Sequence, residues 1–76
     1  MSARRSAVAH SSDERLFAIL REVAVAHAGD ERVLAEYIRE AWRVRWTYRL
    51  IGEALGMSPG RVAAIRRRDL GRRGLL

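Results

Sequence analysis

The chain has 76 residues, 49% of them hydrophobic, which suits one compact domain and leaves no room for a second core. It has no cysteine and only two histidines, His10 and His27, which are 17 positions apart. This composition excludes disulfides, thiolate metal sites and cysteine nucleophiles, and the histidine spacing fits no metal site on one helix. We therefore expect neither a metal nor a cofactor.

The charge of the chain is unevenly distributed. All 15 basic residues are arginine, and the formal net charge is +6. Residues 1–40 contain six arginines and seven acids, whereas residues 41–76 contain nine arginines and two acids. The basic second half favours a polyanionic partner, because a guanidinium can donate two parallel hydrogen bonds to a phosphate or to guanine. Codon bias in a GC-rich genome explains the absence of lysine equally well.

No run approaches the roughly 20 apolar residues of a membrane span, since charged residues interrupt the sequence every few positions. We therefore expect a cytoplasmic protein with no membrane partner. Residues 1–10 contain Arg4 and Arg5, followed by an apolar stretch that is too short for a signal peptide. This segment is expected to be a flexible basic arm.

Helical periodicity predicts an all-α domain of four helices over residues 11–70. The first helix is predicted to begin at Ser11 or Ser12, where Ser11 and Glu14 fit a capping box. Gly29 would end it, and Asp30 would cap the second helix. The apolar face of the first helix is predicted to contain Leu16, Ile19, Leu20, Val23 and His27, widened by Phe17 and Ala24. That of the second helix is predicted to contain Leu34, Tyr37, Ile38, Ala41 and Trp42.

These two helices are expected to form an antiparallel hairpin. Opposite charges at helical spacing, such as Glu36 with Arg39 and Arg32 with Glu36, are typical of a solvated helix face. Trp42 and Trp46 are also at helical spacing, which favours core positions over stacking on bases.

The following segment predicts two short helices joined by a glycine turn, over residues 47–68. Thr47 is a plausible N-cap of the first helix, and Gly56 would end it with a positive φ. Ser58 would cap the second helix, with Pro59 in its first turn. The buried face of this helix is predicted to contain Val62 and Ile65. Two short helices in this arrangement form the skeleton of a helix-turn-helix, and residues 71–76 would follow as a flexible tail.

The stretch from Tyr48 to Ile65 resembles the helix-turn-helix of bacterial transcription regulators and of sigma-factor region 4. The resemblance covers about 20 of the 76 residues. It depends on the turn glycine Gly56, on the cap serine Ser58 and on apolar residues at Ile51, Leu55, Met57, Val62 and Ile65. Gly52 departs from the alanine that is usual in the family, although glycine still permits a close approach of the helices. The whole chain is similar to small stand-alone proteins of this kind from actinobacteria and their phages.

The resemblance implies that the second helix enters the major groove of duplex DNA and that the first lies across the phosphate backbone. The implied contacts are Ser58, Gly60, Arg61, Ala63, Ala64 and Arg67 on the second helix and Thr47, Tyr48 and Arg49 at the start of the first. Arg61 and Arg67 are candidates for guanine or phosphate, whereas Ala63 and Ala64 offer only methyl contacts or close approach.

The run Arg66, Arg67 and Arg68 has two interpretations. Cations in the last turn of a helix complement its dipole and need no partner. In a domain with this charge distribution, at least one of the three is expected to bind nucleic acid, and we assign Arg67 and Arg68 to the predicted DNA contacts.

We therefore expect a small DNA-binding protein, most simply a transcriptional regulator associated with the nucleoid. The alternative is a protein-interaction module that resembles sigma-factor region 4 and binds a transcription-machinery protein. The charge asymmetry favours DNA, because a module that binds only protein needs no basic half. No nucleophile with a nearby base and no phosphate-binding glycine loop is present, so we do not expect an enzyme. A homodimer formed through the first helix is also compatible with the sequence.

Overall fold

The computed structural model describes the backbone of residues 2–76 and the side chains of residues 12–76. This part of the chain forms four α-helices and no strand. The helices are α1 (Ser2–Ala26), α2 (Glu31–Arg43), α3 (Tyr48–Leu55) and α4 (Pro59–Arg72). The prediction of an all-α chain with four helices is therefore confirmed for the described residues.

The first helix begins earlier than the sequence indicated. α1 starts at Ser2 and passes through Ser11 and Ser12, so neither serine caps it. Alanine is the strongest helix former, and the early segment contains several alanines that compensate for its serines. The side chains of residues 1–11 lie outside the described part of the chain, and they include those of the arm expected over residues 1–10.

The core lies where the four helices meet. Its side chains recur at spacings of three and four residues, so each helix buries one face. α1 packs more extensively against α3 than against α2, while α4 packs against both α2 and α3. Full burial of such an aliphatic side chain stabilises the fold by about 1.5 to 3 kcal/mol. The fully buried aliphatic residues larger than alanine are Leu20, Ile38, Ile51, Val62 and Ile65.

The buried face of α1 differs from the predicted one. Leu20 is fully buried, whereas Ile19 is 43% exposed and His27 lies exposed in the turn after the helix. Ile19 is about 100° around the helix from Leu20, and the half-buried Phe17 and Ala24 lie on the other side of Leu20. The apolar stripe is therefore turned away from Ile19. The prediction that Ile19 and His27 belong to the buried face was wrong.

Trp46 attaches the connection between α2 and α3 to α1. The residue is buried, and its Nε1 donates a hydrogen bond of 3.2 Å to Oδ1 of Asp13. The centroid of its indole ring lies 6.2 Å from that of the Phe17 ring. Because a buried indole N–H needs an acceptor, Asp13 makes this burial favourable. The prediction of Trp46 as a core residue is confirmed.

Trp42, in contrast, is 42% exposed, so its predicted core position was wrong. Its ring stacks on that of Tyr48, with centroids 4.7 Å apart, and the guanidinium of Arg66 lies 5.1 Å from its ring centroid. The helical spacing between the two tryptophans was misleading because α2 ends at Arg43. Trp42 and Trp46 therefore do not share a helix face.

The last helix extends further than predicted. α4 continues to Arg72, where the sequence indicated a flexible tail from residue 71. Asp69 is buried and forms ion pairs with Arg39 of α2, with Arg72 and with Arg73, at 3.4 to 3.6 Å. The pair with Arg39 holds the C-terminal part of α4 against α2, whereas the pairs with Arg72 and Arg73 lie within the last turn of α4 and its cap. Arg39 therefore pairs with Asp69 rather than with its helical neighbour Glu36.

The backbone of α3 approaches the following turn closely at Gly52. A Cβ at this position would overlap the carbonyl oxygen of Met57, which is a backbone atom and cannot swing away. The N–H of Met57 also donates a hydrogen bond of 2.9 Å to the carbonyl oxygen of Gly52. Glycine is therefore required here by space. The sequence had indicated only that glycine permits a close approach, and the structure shows that the alanine usual in the similar proteins would not fit.

We predict that Gly52→Ala lowers the free energy of unfolding by about 1 to 3 kcal/mol, because the added methyl group forces the turn to move. Gly71→Ala is the matched control, since Gly71 is also helical and nothing lies within 4 Å of its Cβ position. That substitution is expected to stabilise the fold by up to about 1 kcal/mol. Urea denaturation measures both effects. A Gly52→Ala protein as stable as the parent would contradict the close approach.

Candidate nucleic-acid interface

The predicted turn between α3 and α4 is present at residues 56–58. Gly56 has a φ of 73°, in the left-handed region that favours glycine. Ser58 caps α4, since its Oγ accepts a hydrogen bond of 3.1 Å from the N–H of Arg61, and Pro59 is the first residue of the helix. The turn glycine and the serine cap predicted from the sequence are both confirmed. They expose the N-terminus of α4 directly after the end of α3.

The N-terminus of α3 is also capped as predicted. The Oγ1 of Thr47 accepts a hydrogen bond of 3.1 Å from the N–H of Leu50. Thr47 and Arg49 are exposed, and Tyr48 is half-buried. The first N–H groups of a helix have no partner within it and create a positive potential at its N-terminus, so this end favours an anion.

The outer face of α4 has small side chains and one arginine. Val62, Ile65 and Asp69 are buried on its inner face. The residues on the opposite side of the helix are Gly60, Ala63, Ala64 and Arg67. Gly60 and Arg67 are exposed, and the two alanines are half-buried. A large flat partner can therefore approach the backbone of α4 closely.

Glu31, at the start of α2, neutralises positive charge on one side of α4. Glu31 accepts two hydrogen bonds of 2.8 Å from Arg68 and one of 3.5 Å from Arg72. The two short bonds from Arg68 form a bidentate pair, the strongest geometry for arginine and a carboxylate. Arg68 was a predicted DNA contact, and in this arrangement a phosphate would have to displace Glu31 to reach it.

Hydrogen bonding to Arg68 lowers the pKa of Glu31, although partial burial acts in the opposite direction. The charge of Arg68 and the contacts with Arg72 lower the pKa of Glu31 further. The same hydrogen bonds raise the pKa of Arg68. Both partners are therefore charged at neutral pH, and the pair is a fixed part of the surface between α2 and α4.

Several arginines of residues 12–76 take part in no ion pair. They are Arg15, Arg21, Arg32, Arg45, Arg49, Arg61, Arg66 and Arg67. Arg49, Arg61 and Arg67 belong to the predicted site, and Arg45 precedes α3 by three residues. In the basic second half, Arg68, Arg72 and Arg73 are thus compensated by Glu31 and Asp69, whereas Arg49 and Arg61, beside the turn between α3 and α4, have no ion pair among residues 12–76.

The cap residue Ser58 lies between two open grooves. One groove, of about 530 Å³, is lined by Arg49 and also by Glu53, which opposes an anion at that point. The other, of about 310 Å³, is lined by Arg61 and by Gly29 from the loop between α1 and α2. Arg49 and Arg61 therefore flank the N-terminus of α4 on two sides.

The stack of Tyr48, Trp42 and Arg66 adjoins this surface and was not predicted. The three residues come from three different helices, α3, α2 and α4. No spacing along the sequence could therefore have indicated it. The stack restricts the ring of Tyr48 and holds the guanidinium of Arg66 over an aromatic face, an interaction worth about 0.5 to 1 kcal/mol at an exposed site.

Within residues 12–76, no three histidine, aspartate or glutamate side chains lie close enough together to hold a metal ion. None of the described helices is long and apolar enough to cross a membrane.

Comparisons of the chain with family models, with curated proteins and with solved structures give no match. The chemistry of this surface, which is cationic and rich in hydrogen-bond donors, is therefore the guide to function.

The pair of Glu31 and Arg68 predicts an acid-dependent loss of stability. Since the folded state lowers the pKa of Glu31 from 4.5, its charged form adds stability above pH 4.5. This contribution is lost as the pH falls through the lowered folded-state pKa. Glu31→Gln should therefore reduce stability at neutral pH and flatten the decline of stability in acid.

Thermal denaturation over a range of pH values measures this effect. Glu36→Gln is the matched control, because Glu36 is exposed on the same helix and forms none of the ion pairs found among residues 12–76. It should leave both the stability at neutral pH and the pH profile close to those of the parent. A Glu31→Gln protein with the parent profile would show that the pair does not stabilise the fold.

Proposed function

We propose that this chain is a small DNA-binding protein and a transcriptional regulator. In this proposal α3, the turn and α4 act as a helix-turn-helix, and the N-terminus of α4 enters the major groove of duplex DNA. The observation that carries the proposal is the distribution of arginines without an ion pair. Arg49 and Arg61 flank the N-terminus of α4, and Arg67 lies on its outer face, whereas Arg39, Arg68 and Arg72 are engaged by Glu31 and Asp69.

The proposed base contacts come from α4. The major groove is about 12 Å wide, and the small side chains of Gly60, Ala63 and Ala64 allow the helix to enter it deeply. Arg61 is in the first turn of α4, where a guanidinium can bind O6 and N7 of guanine. Arg67 lies about 9 Å further along the helix and reaches a second base or a phosphate.

The proposed phosphate contacts come from the start of α3. Thr47, Tyr48 and Arg49 lie at a helix N-terminus, where unpaired N–H groups and the helix dipole attract an anion. The stacking of Tyr48 on Trp42 restricts its ring, so its hydroxyl group reaches a phosphate with a smaller loss of conformational freedom. Arg45 extends the same basic surface.

The three consecutive arginines of α4 have different roles in this proposal. Arg66 packs over Trp42, Arg68 is bound by Glu31, and Arg67 alone of the three has neither kind of contact. Arg67 is therefore the member of the run that we assign to DNA. Regulation of transcription, and with it association with the nucleoid, is proposed by analogy with the helix-turn-helix proteins that residues 48–65 resemble.

The first functional prediction concerns salt. If each subunit neutralises about 4 to 6 phosphates, a plot of log affinity against log salt concentration has a slope of about −3.6 to −5.4. Fluorescence anisotropy with a labelled duplex of random sequence measures this slope. Absence of binding even at low salt would overturn the proposal. It would leave the protein-interaction module, for which the exposed Trp42 and Val44 offer an apolar contact surface.

The second functional prediction separates base contacts from phosphate contacts. Arg61→Ala should weaken binding to the preferred duplex by about 1 to 3 kcal/mol and have a much smaller effect on random DNA. Arg49→Ala should weaken both alike and reduce the magnitude of the salt slope by about 1. Arg32→Ala is the matched control, since Arg32 is exposed on α2 without an ion pair among residues 12–76.

The preferred duplex is obtained first, by selecting bound fragments from a random pool. Each variant is then titrated against this duplex and against random DNA. Arg32→Ala should leave the ratio of the two affinities and the salt slope unchanged. If Arg61→Ala weakens both affinities equally, Arg61 contacts the backbone and does not read a base.

A further inference from the structure

A second surface of the chain is left without a partner, on the outer side of α1. This surface, called here the outer face of α1, consists of Ser12, Arg15, Ile19, Glu22 and Ala26. Their spacing alternates between three and four residues, so they form one continuous stripe along the helix. All five are exposed, and Ile19, with 43% of its surface accessible, is the large apolar side chain at the centre.

The two charges on this face have no oppositely charged neighbour at helical spacing within their own helix. The residues three and four positions from Arg15, in both directions, are serine, alanine and isoleucine, and those around Glu22 are isoleucine, alanine and valine. Neither residue takes part in an ion pair among residues 12–76. Arg15 lies towards one end of the stripe and Glu22 towards the other, at nearly equal distances from Ile19.

The arrangement of Arg15, Ile19 and Glu22 is complementary to a second copy of itself that runs in the opposite direction. In an antiparallel pair of α1 helices related by a two-fold axis near Ile19, Arg15 of each copy lies opposite Glu22 of the other. A parallel pair would instead place each charge opposite the same charge. We propose that the outer face of α1 binds the outer face of a second copy of this chain in this antiparallel arrangement. The same patch on both copies then forms a closed dimer.

The apolar centre and the size of the domain favour the same partner. The two Ile19 side chains would meet at the axis and lose their exposure to water, with the two ion pairs on either side of them. Domains of fewer than roughly 80 residues commonly gain stability from self-association, because their cores are small. Since the opposite side of α1 packs against the core, the fold does not need to open for this contact to form. The inference does not depend on the proposed DNA binding.

Sedimentation equilibrium tests the dimer. The parent chain should dimerise, and Arg15→Glu should raise the dimer dissociation constant about four- to thirtyfold, since two attractive pairs become two repulsive ones. The matched control is Arg21→Glu, which makes the same charge change at an exposed arginine on another side of α1 and should have little effect. The double variant Arg15→Glu with Glu22→Arg should restore the parent constant. A monomeric parent chain, or equal effects of the two single variants, would overturn the proposal.

Disulfide formation tests the direction of the helices. The chain has no cysteine, so single cysteines can be introduced at Ser12 and Ala26, both exposed at the ends of the stripe. In the antiparallel dimer Ser12 lies opposite Ala26 of the second copy, whereas two Ser12 positions are about 20 Å apart along the helices. A mixture of Ser12→Cys and Ala26→Cys chains should therefore oxidise to mixed dimers. Faster oxidation of either variant alone than of the mixture would overturn the arrangement.

Discussion

The position of the exposed N-terminus of α4 depends on one steric constraint. The glycine at position 52 leaves space for the carbonyl oxygen of Met57. Because Gly52 and Met57 can approach closely, the turn between the two helices is short. Gly56, in the left-handed conformation, ends α3, and Ser58 caps α4 two residues later. The constraint acts on backbone atoms, so it holds whatever the side chains of the turn are. It fixes the start of α4 beside α3 and thereby places Arg49 and Arg61 on two sides of Ser58.

The second determinant of the surface is the position of two acids, Glu31 and Asp69. Asp69 is buried, and a buried carboxylate is strongly unfavourable unless cations and hydrogen bonds compensate it. Its partners, Arg39 on α2 and Arg72 and Arg73 at the end of α4, therefore stabilise the folded chain by compensating this buried charge. Glu31 in the same way engages Arg68 with two short hydrogen bonds. Exposed ion pairs contribute little to stability, but these two acids decide which arginines are free to bind an external anion.

The features that the sequence predicted are those that depend on a few neighbouring residues. The caps at Asp30, Thr47 and Ser58 and the left-handed glycines Gly29 and Gly56 follow from local backbone chemistry, and all are present. Each of these signals is complete within four or five residues of sequence. The turn that exposes the candidate interface was therefore predictable.

Most of the features that the sequence missed depend on residues that are distant along the chain; the exception is the capping box at Ser11 and Glu14, a local signal that α1 passes through. Arg39 pairs with Asp69, thirty positions away, although Glu36 on the same helix is the acid at helical spacing from it. Trp42 is exposed because α2 ends directly after it, and its stacking partner Tyr48 belongs to the next helix. Such contacts are set by how the helices pack together, which periodicity alone does not specify. The sequence therefore predicted the candidate residues of the interface, and only the fold separates free arginines from paired ones.

In the proposed function, the free arginines around the start of α4, and not those paired with Glu31 and Asp69, bind duplex DNA. Backbone amide shifts of the ¹⁵N-labelled chain, followed by NMR during titration with a short duplex, test this most directly. DNA binding through these arginines is expected to give the largest changes at residues 47–49 and 58–67 and negligible changes at residues 31–39. Changes confined to α1 and α2, or no changes at any DNA concentration at low salt, would contradict it.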